Sequence, residues 1–177
     1  MNTLYDLFKA RAEIASAEVH RFPDQGEALE FVLGLLREQG VAEGPQPGAV
    51  WAGRRLLEAP GVSFDVTREA AAGAKVGISE MDWALADTGT LVQDATAVEQ
   101  RLVSTLPPIH VALVGTGQLL PDLAAMLDRI DPGKAGFIAM ITGPSRTADI
   151  ERVLTIGVHG PHRLVVVFVD QPERGNA

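Results

Sequence analysis

The sequence predicts an α/β fold: an open, largely parallel sheet covered by helices on both faces. Three observations point there. Ile109–Val114, Phe137–Ile141 and Leu164–Val169 are uninterrupted apolar runs rich in valine or isoleucine, the composition of strands buried on both faces. Helical patterns stand between them, at Leu119–Ile130 (with Pro121 near its first turn) and at Ala148–Ile156. The resulting order, strand–helix–strand–helix–strand, is that of parallel strands joined by crossover helices. The three runs are therefore expected side by side at the centre of the sheet.

The other elements follow in chain order. Leu4 to Val19 carries a helical pattern. Asp24 followed by Glu27 has the spacing of a capping box, Leu29, Phe31, Val32, Leu35 and Leu36 make one apolar helical face, and Gly40 ends the helix. Residues 43–48, EGPQPG, form a proline- and glycine-rich link that marks the internal boundary. The expected organisation is an N-terminal helical segment, 1–48, packed on or linked to an α/β domain, 49–177, within one folding unit. Ala49–Ala52, Lys75–Ile78, Trp83–Ala86 and Gly89–Val92 read as short strands, followed by a helix over Thr96–Val103. Asp87-Thr88-Gly89-Thr90 is either a hairpin turn or a turn that breaks one strand.

Composition narrows the function classes. The chain has 177 residues and 18.8 kDa. Area scaling puts about 70% of its surface inside a fold of that mass, enough for a core without staples. It has no cysteine, which excludes disulfides, thiolate zinc sites and cysteine-ligated iron–sulfur clusters in this chain. With 15 basic and 23 acidic residues the net charge is −8, so nucleic acid and anionic membranes are poor partners. The first residues, Met1 to Asp6, lack the basic start and long apolar run of a leader. Leu102–Pro121 carries no formal charge, yet Pro107, Pro108, Gly115, Gly117 and Pro121 break it into loop, strand and loop. A soluble, cytoplasmic protein without membrane insertion is expected.

Several segments carry polar chemistry. Gly115-Thr116-Gly117 follows a strand but has Leu120 where a dinucleotide fingerprint needs its third glycine, so it reads as an ordinary turn. Thr142-Gly143-Pro144-Ser145-Arg146-Thr147 lies at the end of a predicted strand and the start of a predicted helix. Its N–H groups, hydroxyls and guanidinium suit a small carboxylate or phosphate; equally, Thr147 caps a helix and Arg146 pairs with a neighbouring group. Asp87, Thr88 and Thr90 around Gly89 present polar groups to a ligand or make a turn. The two turns are expected to face one cleft. Ser79 has only one glycine of a nucleophile elbow, and His110, at the entry to a strand, reads as packed. His159-Gly160-Pro161-His162 cannot be helical, so its two rings need not converge on a metal, and none is expected.

Taken together, the blocks resemble a known family. Residues 77–92, GISEMDWALADTGTLV, are followed by Arg101 and by STLPPIH at 104–110, then GPSRTADIE at 143–151 and GVHGP at 157–161. In this order and spacing they are similar to the lactate-utilisation (LUD-domain) family, protein C group, over about residues 49–170. The resemblance implies a three-layer α/β sheet of the kind shared with CoA transferases and ribose-5-phosphate isomerase. It implies an accessory subunit of bacterial L-lactate oxidation to pyruvate, beside iron–sulfur and cysteine-rich oxidoreductase subunits and without a cofactor of its own. It supplies no catalytic residues; its motif positions Asp87, Thr88, Gly89, Thr90, Gly143, Ser145, Arg146, Thr147 and His159 are ligand-binding candidates. Asp87 stands where the family pattern has glutamate, keeping the charge with a shorter reach. The alternative is a stand-alone enzyme of the same superfamily, or a small-anion sensor, acting on an acyl-CoA, a sugar phosphate or a folate.

Overall fold

The computed structural model describes residues 3–53, 59–131, 133–146 and 160–170. Its elements are α1 (Leu4–Ile14), β1 (Glu18–Phe22), α2 (Gln25–Glu38), β2 (Ala49–Ala52), β3 (Val62–Ser63), α3 (Arg68–Gly73), β4 (Val76–Glu80), β5 (Trp83–Leu85), β6 (Thr90–Asp94), α4 (Val98–Thr105), β7 (Ile109–Gly115), β8 (Leu119–Leu120), α5 (Leu123–Leu127), β9 (Ile138–Ile141) and β10 (Arg163–Val169). Six strands form the main sheet in the order β1-β10-β7-β4-β2-β3, every pair parallel. The other four make a smaller sheet, β8-β5-β6-β9, whose β5–β6 and β6–β9 pairs are antiparallel.

Both faces of the main sheet are covered, which is why its central strands have no polar side. On one face α2 lays Ala28, Val32, Leu35 and Leu36 against Trp51, Ile78, Val111, Val165 and Val167. On the other, α1 packs Phe8 and Ala12 with Ala112, Val114, Val166 and Phe168, while α3 and α4 cover Val50 and Ala52. The expected α/β class is thus observed, with β7 and β10 adjacent and parallel. The start of α2 also forms as its sequence implies. Asp24 caps it by accepting from the Glu27 N–H at 2.9 Å, and Gly40, at φ +60°, takes the left-handed conformation just beyond its end.

Between the two N-terminal helices lies a strand the apolar pattern does not announce. β1 joins the main sheet beside β10 and is held at both ends by paired guanidinium–carboxylate contacts. Arg163 donates to Glu18 at 2.6 and 2.8 Å, and Arg21 donates to Asp170 at 2.9 and 3.1 Å. Each pair joins residues more than a hundred positions apart, out of reach of any local signal.

Two expectations need correction. Phe137–Ile141 is not a central parallel strand: β9 is the outer strand of the small sheet, antiparallel to β6, with Phe137 and Met140 half exposed. Side chains at the two ends of β6 draw it there. The Thr96 hydroxyl accepts from the Gly136 and Phe137 N–H groups, and the Thr90 and Thr142 hydroxyls meet at 2.7 Å. Leu119–Ile130 is not one helix either. The Leu120 and Pro121 carbonyls accept from the Ala86 and Asp87 N–H groups, which pulls β8 onto β5, and α5 starts afresh with Asp122 as its cap. The helix expected at Ala148–Ile156 lies outside the described residues. No helix among the described residues is long and apolar enough to cross a membrane.

Candidate functional site

A parallel sheet brings its carboxyl ends to one edge, where ligands of such folds bind. Here β1, β10, β7 and β4 end around a cavity of about 620 Å³, closed on one side by the first turn of α2. Ala28, Leu29, Leu113 and Val169 provide its apolar wall, and Asp24, Glu80, Asp82, Gln118 and Asp170 its polar groups. Among the described residues its lining has no lysine, arginine or histidine.

Most of these polar groups already have work. Asp24 caps α2. Gln118 accepts from the Gly115 N–H at 2.8 Å. Asp170 accepts from Arg21, whose guanidinium also lies over the Tyr5 ring at 5.1 Å; this pair, with a hydrogen bond from Thr116, holds its carboxyl below the usual range. Asp82 differs. Its Oδ2 accepts from the Asp94 N–H at 2.6 Å, but burial pushes its pKa up, and the charges of Asp94 and Glu80 push in the same direction. A carboxyl in a cleft with a raised pKa is placed to hold or transfer a proton. The cavity therefore favours ligands that offer hydroxyl or amine donors to carboxylates, and repels a phosphate dianion.

That electrostatic cost is measurable. A carboxyl whose folded pKa exceeds its unfolded one binds more protons when folded, so it lowers stability as pH rises through the raised pKa and throughout the range above it. Asp82→Asn keeps an acceptor for the Asp94 N–H and removes the charge. Its melting temperature should rise by a few degrees at neutral pH, with the gain disappearing below the ordinary carboxylate range. A gain that persists unchanged in acid would show that repulsion and burial of charge are not its cause.

The motif residues singled out in the sequence lie elsewhere. Asp87 and Thr88 are exposed at the β5–β6 hairpin turn, where the Thr88 hydroxyl donates to Asp87 at 3.3 Å. Gly89, at φ +67°, is buried so closely on α1 that a Cβ there would lie 2.4 Å from the Ala12 nitrogen. Thr90 is buried against Thr142. Gly143, at φ +74°, leaves room for the Ala15 carbonyl, which a Cβ would meet at 2.2 Å. Ser145 donates its N–H to the Pro161 carbonyl at 2.8 Å, and exposed Arg146 donates to the Ser16 hydroxyl at 2.6 Å. The two turns thus come together around the carboxyl end of α1, and none of these residues lines the carboxyl-edge cavity. Thr147 and His159 lie outside the described residues. Ser79 and His110 form a buried pair, Oγ to Nε2 at 2.8 Å, with 0% and 1% exposure; His110 is packed, as expected. Sequence reasoning passed over Glu80, Asp82 and Asp170. The available signal was their position directly after apolar strands, the place where an open α/β sheet binds ligands.

The sequence profile of the LUD domain matches residues 55–169. The chain belongs to the LUD-domain family. The resemblance read from the GISEMDWALADTGTLV and GPSRTADIE blocks is borne out by relatives as well. Lactate utilization protein C of Exiguobacterium sp. is 38% identical over 111 residues, 59% of this chain and 48% of that protein. Lactate utilization protein C of Macrococcus caseolyticus is 38% identical over 103 residues, 55% of this chain and 45% of that protein. The chain spans about half the length of these curated relatives. Uncharacterized protein YkgG of Escherichia coli is 28% identical over 174 residues, 91% of this chain and 71% of that protein. A crystal structure of a DUF162 family protein from Deinococcus radiodurans superimposes with a TM-score of 0.60 at 18% identity, covering 94% of this chain and 96% of that one. At that identity it shows that this LUD-domain chain shares its fold.

Proposed function

We propose that this LUD-domain chain serves bacterial lactate utilisation as an accessory subunit of L-lactate oxidation to pyruvate, in the cytoplasm and without a redox cofactor of its own. The observation that carries this reading is the match of its LUD domain to proteins named Lactate utilization protein C. The absence of cysteine supports the division of labour, because a cysteine-ligated cluster has to sit in another chain. The partners are then an iron–sulfur subunit and a cysteine-rich oxidoreductase subunit. The carboxyl-edge cavity supports a second reading, a stand-alone enzyme or sensor, but its carboxylate lining argues against the acyl-CoA, sugar phosphate and folate ligands that reading would need.

Affinity purification of the tagged chain from its native cells grown on L-lactate, followed by mass spectrometry, tests the proposal. The iron–sulfur and cysteine-rich subunits should co-purify in comparable amounts, and deleting the chain should abolish growth on L-lactate while sparing growth on glucose. Normal growth of the deletion strain on L-lactate, or turnover of an acyl-CoA by the isolated chain, would overturn the accessory role.

A further inference from the structure

One carboxylate of the carboxyl-edge cavity is held rigidly and has no counter-charge among the described residues. Asp82, half-buried in the lining, lies in the short connection that passes the chain from the main sheet to the small one. Backbone hydrogen bonds fix that connection to both sheets. The Met81 N–H donates to the Leu113 carbonyl at 2.7 Å, and the Asp82 N–H to the Val92 carbonyl at 3.0 Å. The Asp82 Oδ2 is occupied by the Asp94 N–H, while Oδ1 has no hydrogen-bond partner among the described residues. Another part of the wall is of a different kind: Leu29, Leu113 and Val169 give the cavity an apolar body. Its volume, about 620 Å³, is that of a small-molecule site.

The charge of the other acids is partly offset. Asp170 is balanced by the bidentate Arg21. Asp24 caps α2, whose dipole returns about half a positive charge against its single negative one. Asp82 has no such compensation. Leaving Glu80 aside, the lining carries roughly one and a half negative charges, and its described residues include no cation. We propose that this cavity binds an organic monocation, an ammonium group on a hydrocarbon body. The ammonium donates to the Asp82 Oδ1, and the body lies against Leu29, Leu113 and Val169. The burial of Asp82 and the charges of Asp94 and Glu80, which together raise its pKa, are what a cation at Oδ1 would relieve. An anion of the same shape is repelled. This inference goes beyond the lactate-utilisation reading and does not rest on it.

Calorimetric titration of the full chain at neutral pH tests it, with n-hexylamine, 1-hexanol and sodium hexanoate as probes that share one hydrocarbon body. The amine, protonated at that pH, should bind with a dissociation constant on the order of 1 mM. The alcohol should bind at least about fivefold more weakly, because its hydroxyl lacks the second charge of an ion pair, and the carboxylate should not bind. Asp82→Asn keeps an acceptor for the Asp94 N–H. It should weaken amine binding at least about tenfold while raising the melting temperature, a combination that unfolding cannot produce. Asp128→Asn removes an exposed acid at the end of α5, outside the cavity lining, and should bind the amine as the parent does, which separates the cavity from the net charge of −8. The proposal falls if the amine does not bind, if the alcohol or the carboxylate binds as tightly, if Asp82→Asn binds as the parent does, or if Asp128→Asn weakens binding as much as Asp82→Asn.

Discussion

Gly143→Ala should cost the fold about 3 kcal/mol or more in equilibrium urea unfolding, the sum of left-handed backbone strain and overlap in a packed interior. At φ +74° a side chain is strained whatever its surroundings, and here a Cβ would sit 2.2 Å from the Ala15 carbonyl oxygen. That neighbour is backbone at the end of α1 and cannot rotate away. Relief requires α1 to shift, which loosens the edge-to-face contact of Phe8 with Phe168, at 5.1 Å, and that of Tyr5 with Phe168, at 5.4 Å. Gly89→Ala should behave alike, through φ +67° and the Ala12 nitrogen at 2.4 Å. Gly34→Ala, in the middle of α2 with nothing within 4 Å of a new Cβ, should instead be neutral or stabilising by up to about 1 kcal/mol. The comparison separates two accounts of the TGTLV and GPSR turns. If Gly143→Ala keeps its stability and loses lactate-dependent growth, the turns serve a ligand; if stability falls first, they hold α1 on the sheet, with Arg146 on Ser16 as part of that clamp.

Acid should destabilise the protein through His110. Burial between β4 and β7 pushes its pKa from the ordinary 6.5 down to about 4. The neutral ring is thus the form the fold accepts, and the unfolded chain binds the extra proton between those values. The stabilisation is complete above the unfolded pKa, declines as pH falls through 6.5, and by pH 4 has lost about 3 kcal/mol. His20, also lowered by burial, adds to the same decline. In His110→Gln, stability should be lower at neutral pH, because the Ser79 pairing is disturbed, but its fall between neutral and acid should be shallower by one proton. An equal slope in the two proteins would mean that His110 protonates without opening the core.

How much of this was legible in the chain differs from element to element. α2 was readable because its cap, its apolar face and the glycine beyond its end are all local. β7 and β10 were readable because, His110 and Arg163 near their starts apart, they are apolar throughout, and such runs have no stable place except a doubly covered sheet. β9 looked the same over four residues, and periodicity carries no information about which strand it pairs with. That choice was made by Thr96 and Thr90, through hydrogen bonds to residues about forty to fifty positions away.

The candidate sites divide in the same way. The TGTLV and GPSR blocks stood out as motifs, yet only the packed chain shows that both turns close on the end of α1, since a glycine's neighbour in space is not written beside it. Asp24, the Glu80–Asp82 pair and Asp170 come from three separate segments and meet only because parallel pairing stacks the carboxyl ends of β1, β4, β7 and β10 at one edge. By itself, then, the sequence determined the fold class, the family and the absence of any thiol ligand, because these depend on composition, periodicity and local motif. Only the tertiary structure decided which strands pair, where the cavities open and which carboxyl has its pKa raised, because hydrogen bonding, burial and charge act between residues that folding alone brings together.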